Sequence, residues 1–176
     1  MYTFVMRSVR YSVAMSLDGF ISGPNGENDW IVMDPDIDFI AMMSGFDTIL
    51  MGRKTYDASK QYSGGEMPGM TSIVVSRTLD PLKHPGVNLT SDPKQTIAKL
   101  KSEPGKDIWL FGGGELFQSL LADGLVDRIE VAVIPVLLGS GTPLLPGEYN
   151  KTKLCLVKQR LFEKTGTLAL EYEFAK

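Results

Sequence analysis

Cysteine is nearly absent from this 176-residue chain: Cys155 stands alone, so no internal disulfide can form. Its neighbours Leu154, Leu156 and Val157 suggest a strand, which predicts a packed thiol rather than a reactive one. Histidine is as scarce, and a lone His84 beside a lone Cys155 argues against a structural zinc site, so no metal is expected. An excess of positive charge is also missing: the formal net charge is -3, which leaves no basic footprint for nucleic acid. No segment approaches the roughly 20 apolar residues of a membrane span. Arg7 and Arg10 interrupt the apolar opening, so neither secretion nor membrane insertion is expected, and the cytoplasm is the location by elimination. What is present is a hydrophobic content of 43%, ordinary for a folded domain with a substantial core. We therefore expect one domain over residues 1–176, with residues 1–7 as a leading extension.

Hydrophobic periodicity divides the chain into alternating elements. Val9, Tyr11, Val13 and Met15 alternate with polar or small residues as a first strand. The loop after Ser16 is long, rich in Gly, Asn and Asp, and carries the isolated large side chains Phe20, Ile21 and Trp30. Asp34 followed by Pro35 predicts a helix start, with Ile37, Phe39, Ile40 and Met43 on one side. Further strands are predicted over 48–51, 71–75, 87–89, 108–111 and 128–134, with helices after Gly52, Asp92 and Gly114. The helix-free end alternates as two strands of a hairpin, 154–162 and 168–174. Helices between strands imply an α/β fold with a mixed, mostly parallel central sheet and an added C-terminal antiparallel hairpin.

Three strand ends carry ligand-type residues. Gly52, Arg53, Lys54 and Thr55 follow one; Ser76, Arg77 and Thr78 follow the next; Gly112, Gly113, Gly114 and Glu115 follow the third. A helix start faced by glycine presents unpaired N–H groups and a positive dipole end, which suits phosphate. In open α/β sheets such ends share one rim, so the three together suit a ligand with several phosphates. Phe117 stands where GxGxxG spacing needs its third glycine, so the triplet is not the usual dinucleotide fingerprint. Arg53 and Arg77 favour NADPH over NADH, because arginine accommodates the additional 2′-phosphate.

The segments DTILMGRKTYD, IVVSRT and IWLFGGGELF, in that order, resemble the cofactor segments of the dihydrofolate reductase superfamily. YSVAMSLDGFIS and VDRIEVAVIPVLLGSGTPL are more similar to a branch of it, the reductase domain of riboflavin-biosynthesis deaminase/reductases. The resemblance spans Arg10 to Phe174 and implies a dihydrofolate-reductase-like fold using NADPH. It implies that Gly52, Arg53, Lys54 and Thr55 hold phosphate and adenosine parts of the cofactor, that Ser76, Arg77 and Thr78 hold the adenosine ribose phosphate, and that Gly112 to Glu115 hold the pyrophosphate. Ala14, Ile21, Leu116 and Phe117 would complete the cofactor site, with Phe117 near the nicotinamide, and Phe111 would face the substrate. Ser12 stands where the riboflavin branch often has lysine, and Ala132 where the folate branch usually has threonine. The hydride acceptor is accordingly left between a pterin-like compound and a (ribosyl)aminopyrimidine.

Hydride transfer to a C=N or C=O carbon needs the acceptor positioned and one group to help protonate the heteroatom. Counting back from Gly52, Asp36 falls near the place of the folate-family carboxylate, with Asp34 and Asp18 as competitors and Trp30 as a candidate substrate contact. The bland readings are a helix cap for Asp34, a favourable dipole contact for Asp36 and a turn residue for Asp18. A noncatalytic NADP-binding or regulatory domain is the alternative function. The resemblance also prompts an expected homodimer through Val131 to Leu138.

Overall fold

The computed structural model describes residues 6–63, 67–84 and 86–175. Strand β1 (Val9–Ser16) and the short β2 (Phe20–Ser22) precede helix α1 (Phe39–Met43). Then come β3 (Phe46–Gly52), α2 (Arg53–Ser63), β4 (Thr71–Val75), β5 (Asn88–Thr90), α3 (Pro93–Ser102), β6 (Asp107–Gly112), α4 (Gly114–Ala122) and β7 (Arg128–Ile134). The chain closes with β8 (Thr142–Pro143), β9 (Leu154–Phe162) and β10 (Thr167–Phe174). Eight strands form one sheet in the order β5-β4-β3-β6-β1-β7-β10-β9, while β2 pairs with β8. The run from β5 to β7 is parallel, and β10 and β9 add antiparallel, as the alternation of elements predicts.

The central strands are apolar on both faces because both faces are covered. On one side Val9, Tyr11, Leu50, Ile108 and Leu110 pack against Ile97 of α3 and Phe117 and Leu120 of α4. On the other, Phe46, Ile49, Met51, Val74 and Trp109 pack with Tyr56 of α2. Tyr11 lies parallel to Phe117 with ring centroids 4.0 Å apart, and its hydroxyl has no hydrogen-bond partner among the described residues. Burial pushes that phenol's pKa up. An orphaned buried hydroxyl is a net cost, so Tyr11→Phe is expected to stabilise the fold by about 1 kcal/mol, read from denaturant unfolding.

Three expectations change. Helix α1 begins at Phe39, where the Asp38 carboxylate accepts from the N–H of Ala41 at 2.8 Å; Asp34 is not its cap. The buried Asp34 carboxylate accepts instead from the N–H of Asp36 at 2.9 Å and from the N–H and hydroxyl of Thr165 at 3.0 and 2.9 Å. It fastens the segment before α1 to the β9–β10 turn. Cys155 is exposed rather than packed, because β9 is the outer edge strand and no element among the described residues covers it. Arg7 belongs to the fold and not to an extension: its guanidinium is buried on Asp47, on the Thr48 hydroxyl at 2.7 Å and on the Lys106 carbonyl at 2.6 Å. Residues 1–5 lie outside the described residues.

Asp34 has a measurable consequence. Desolvation works to raise its pKa, but the bonds from Asp36 and Thr165 and the charge of Lys164 outweigh it and hold the carboxyl below the usual range. A carboxylate depressed in the folded state stabilises above its unfolded pKa and loses that contribution as pH falls through the folded value. Acid titration should therefore loosen this corner below the ordinary aspartate range, and Asp34→Asn should flatten that part of the stability–pH curve. An unchanged curve would remove Asp34 from the account.

Candidate active site

The strand order places β6 beside β3 only after the chain has run outward through β4 and β5 and returned. Helix α2 leaves β3 onto one sheet face and α4 leaves β6 onto the other, so a crevice opens beyond the carboxyl ends of these two neighbours. Such a switch point is where open α/β sheets bind ligands. Here it widens into a cleft of about 1820 Å³.

The cofactor-type residues, Gly112 and Phe117 excepted, converge on this cleft. Gly52, Arg53, Lys54 and Thr55 line it from β3 and the start of α2; Ser76, Arg77 and Thr78 from the end of β4; Gly113, Gly114, Glu115 and Leu116 from the start of α4. Gly113 caps α4 with no side-chain hydrogen bond, and the N–H groups of Gly114, Glu115 and Leu116 have no acceptor among the described residues. Arg53 donates to the Thr78 hydroxyl at 2.8 Å and pairs with Asp57 at 3.3 Å, which ties two strand ends together. Ser76 accepts from the N–H groups of Thr78 and Leu79 and shapes the turn that carries Arg77. The Arg77 side chain is exposed and makes no ion pair or hydrogen bond among the described residues. Lys54 meets Glu115 at 3.1 Å across the mouth, a fully solvated pair of little energetic weight. Ala14, Ile21 and Phe111 also line the cleft.

Phe117 does not. It is buried to 1% exposure against Tyr11 under α4, on the opposite side of the helix from Leu116 and Ser119, which do face the cleft. The carboxylate candidates also lie elsewhere. Asp18 accepts from the Ser16 hydroxyl at 2.6 Å and from the N–H groups of Leu138 and Gly139, bracing two loops. Those bonds, the Ser16 hydroxyl first, hold its pKa low. Asp36 is exposed and paired with Lys164 at 2.7 Å. Neither Asp18, Asp34 nor Asp36 lines the cleft, and Trp30, half-buried, donates its indole N–H to the Glu27 carbonyl at 3.1 Å.

The floor of the cleft holds charged residues not singled out from the sequence. Glu130 of β7 faces it, its carboxylate shared between the Arg10 guanidinium, with Nε at 2.6 Å, and the Ser12 hydroxyl. Glu171 of β10 stands opposite Glu130, and Lys158 of β9 opposite Glu171. The available signal was a polar side chain inside strands that are otherwise apolar, Glu130 in RIEVAVI above all.

The expected dimer segment is partly interior, since Val131 and Ile134 are buried while Leu137 is exposed. Exposed apolar side chains gather on β9, at Leu154, Leu156, Val157 and Leu161. Among the described residues no group of three metal-ligating side chains occurs, and no helix is long and apolar enough to cross a membrane.

A mostly parallel sheet with two helix starts and an arginine pair around its switch point defines the class: an α/β fold like that of the riboflavin-biosynthesis reductase domains. Residues 7–167 match the family described as the RibD C-terminal domain, and the chain belongs to that family. The uncharacterized protein YyaP of Bacillus subtilis (strain 168) is 36% identical, over 96% of this chain and 95% of its own. A solved structure from Shewanella sp. PV-4, described as a putative riboflavin biosynthesis protein, superposes with a TM-score of 0.83 at 24% identity, covering 97% of this chain and 100% of that one. The Thermotoga maritima protein named diaminohydroxyphosphoribosylaminopyrimidine deaminase/5-amino-6-(5-phosphoribosylamino)uracil reductase superposes at 0.73 and 15% identity, over 97% of this chain and 57% of its own. The two solved structures speak for the fold.

Proposed function

We propose that the protein is an NADPH-dependent oxidoreductase whose acceptor is a pterin-like or (ribosyl)aminopyrimidine compound, close in class to the riboflavin-biosynthesis reductases. The observation that carries this reading is the convergence of three adjacent strand ends on one cleft, where the N–H groups at the start of α4 and the Arg77 side chain have no partner among the described residues. These groups fit the cofactor: they supply donors and positive charge where an anionic dinucleotide needs them and leave backbone bare at the glycines. The N–H groups of Gly114 to Leu116 would hold the pyrophosphate, and Arg77 with Ser76 and Thr78 the 2′-phosphate end. Bound there, NADPH supplies the hydride. The chain's own part is to hold, orient and exclude water: Ala14, Ile21 and Phe111 wall the cleft with apolar surface, and the Glu130–Ser12 pair sets a carboxylate on its floor.

The experiment is a titration with NADPH and NADH, followed by loss of reduced-nicotinamide absorbance with dihydrofolate or 5-amino-6-(5-phosphoribosylamino)uracil added. NADPH binding with oxidation in the presence of one acceptor supports the reading. Stoichiometric binding without oxidation by either acceptor assigns a noncatalytic NADP-binding role, and no binding at millimolar cofactor rejects both.

A further inference from the structure

Four adjacent strands bring Ser12, Glu130, Glu171 and Lys158 into one transverse row, each opposite the next across β1, β7, β10 and β9. The neighbouring row on the same face is Ala14, Ala132, Ala169 and Arg160. All eight line the cleft. Side chains in register share one face of a sheet, so the three alanines form a low shelf beside a charged row, closed at the β9 end by Lys158 and Arg160.

The charges in this row are not equivalent. Glu130 is fully engaged, one oxygen on Arg10 and the other on Ser12. Glu171 has only one oxygen occupied, by Arg128 at 2.9 Å, and its second has no partner among the described residues. Lys158 makes no ion pair among the described residues although it stands opposite Glu171. Arg160 lies over the Phe162 ring at 4.4 Å and reaches one backbone carbonyl, of Asp36, at 3.4 Å, which leaves most of its donors unused. A carboxylate oxygen and a Lys158 ammonium without partners among the described residues, with Arg160 beside them, stand at one end of a flat shelf and are complementary to a planar ring that bears an amino donor and a negatively charged arm.

We infer that Glu171 receives the amino group of the acceptor and that Lys158, with Arg160, holds an anionic arm on it, over the Ala14–Ala132–Ala169 shelf. This rests on the reductase reading above and assigns that reading's acceptor specificity to β9 and β10, not to the loop carboxylates Asp18 and Asp36. Glu130 is a positioning residue: fixed by Arg10 and Ser12, it keeps the negative charge beside Glu171 in place.

The test uses small probes that separate the two recognitions. Cytidine 5′-monophosphate carries both an amino group and a phosphate, uridine 5′-monophosphate lacks the amino group, and cytidine lacks the phosphate. Binding is measured by calorimetry on the full chain saturated with NADP+, so that the probes cannot enter the cofactor's own nucleotide site. Cytidine 5′-monophosphate should bind about tenfold more tightly than either of the other two. Glu171→Met, which leaves no acceptor, should abolish the preference over uridine 5′-monophosphate and leave that over cytidine. Lys158→Met should shrink the preference over cytidine, with Arg160 still in place, and leave that over uridine 5′-monophosphate. Affinity for NADP+ should be unchanged in both variants, which shows that the fold and cofactor site are intact. If the variants keep wild-type preferences, or cytidine 5′-monophosphate does not bind while NADP+ does, the inference is overturned and the cofactor reading stands. If NADP+ itself does not bind, the cofactor reading falls, and the inference with it.

Discussion

Arg77→Glu should weaken NADPH binding by about thirtyfold while leaving NADH binding within a few-fold of its starting value. The two cofactors differ only in the 2′-phosphate, so their ratio isolates the contact at that group and cancels everything shared. Arg77 is the sharpest probe of it. Its side chain is exposed at the end of β4, lines the cleft and makes no ion pair with any other described residue, so its replacement breaks none among them. Thermal stability should stay within a degree or two. Arg53 is a poorer probe, because it also holds Thr78 and Asp57, and its loss would move the turn as well as the charge. Reversing the sign at Arg77 both deletes an attraction and adds a repulsion, and each is worth on the order of 1 kcal/mol at a solvated site. Because the site is solvated, the NADPH-to-NADH contrast of the parent protein should narrow as salt is raised, and in the variant the dependence should reverse in sign, since salt there screens a repulsion. An unchanged ratio in the variant would show that the 2′-phosphate is read elsewhere on the rim.

How far such a site can be read from sequence depends on whether its parts are local. The rim is made of short turns at strand ends, and each announces itself: Gly52 before Arg53, Ser76 before Arg77, three glycines before Glu115. The alternation of helices and strands then implies a parallel sheet, which brings such ends to one side. The floor is different. Ser12, Glu130, Glu171 and Lys158 become neighbours only because β7 enters beside β1 and the hairpin adds outside it, and nothing within a few residues of any of them signals that order. The carboxylate expectations failed to converge for a related reason. In sequence Asp34 and Asp18 read as a helix cap and a turn residue or as competing catalytic acids, yet each is consumed by a loop more than a hundred residues away, at Thr165 and at Leu138–Gly139. Phe117 shows the opposite case. Its spacing with Leu120 already puts it on the buried stripe of α4, and local periodicity was the better guide to its place than the resemblance.

The glycine triplet divides into three separate requirements, and Gly112→Ala should expose the first. Gly112 has φ +124, a conformation that side chains with a Cβ rarely adopt, although its added Cβ would find only Thr55 Oγ1, at 4.0 Å. Space is available; the backbone is what resists. Holding alanine there costs about 1–3 kcal/mol, and the turn can relax by rotating the peptide units that begin α4. Those units carry the N–H groups turned toward the cleft, so the expected result is a loss of NADPH affinity of tenfold or more with a fall of a few degrees in melting temperature. NADH should weaken equally, since the pyrophosphate is common to both, and this separates the variant from Arg77→Glu. Gly113 has an ordinary φ of -85, and alanine there meets Thr55 Oγ1 at 3.3 Å, a contact a small side-chain shift relieves, so Gly113→Ala should cost less. Gly114 is held by packing: an added Cβ would lie 2.9 Å from Pro146 Cδ and 3.0 Å from the Pro143 carbonyl. Gly114→Ala should therefore lower stability first, by pushing the 143–146 loop off α4, and affinity only as a result. Equal effects at all three positions would mean that the triplet acts as loose chain, and that the start of α4 is not held for a ligand.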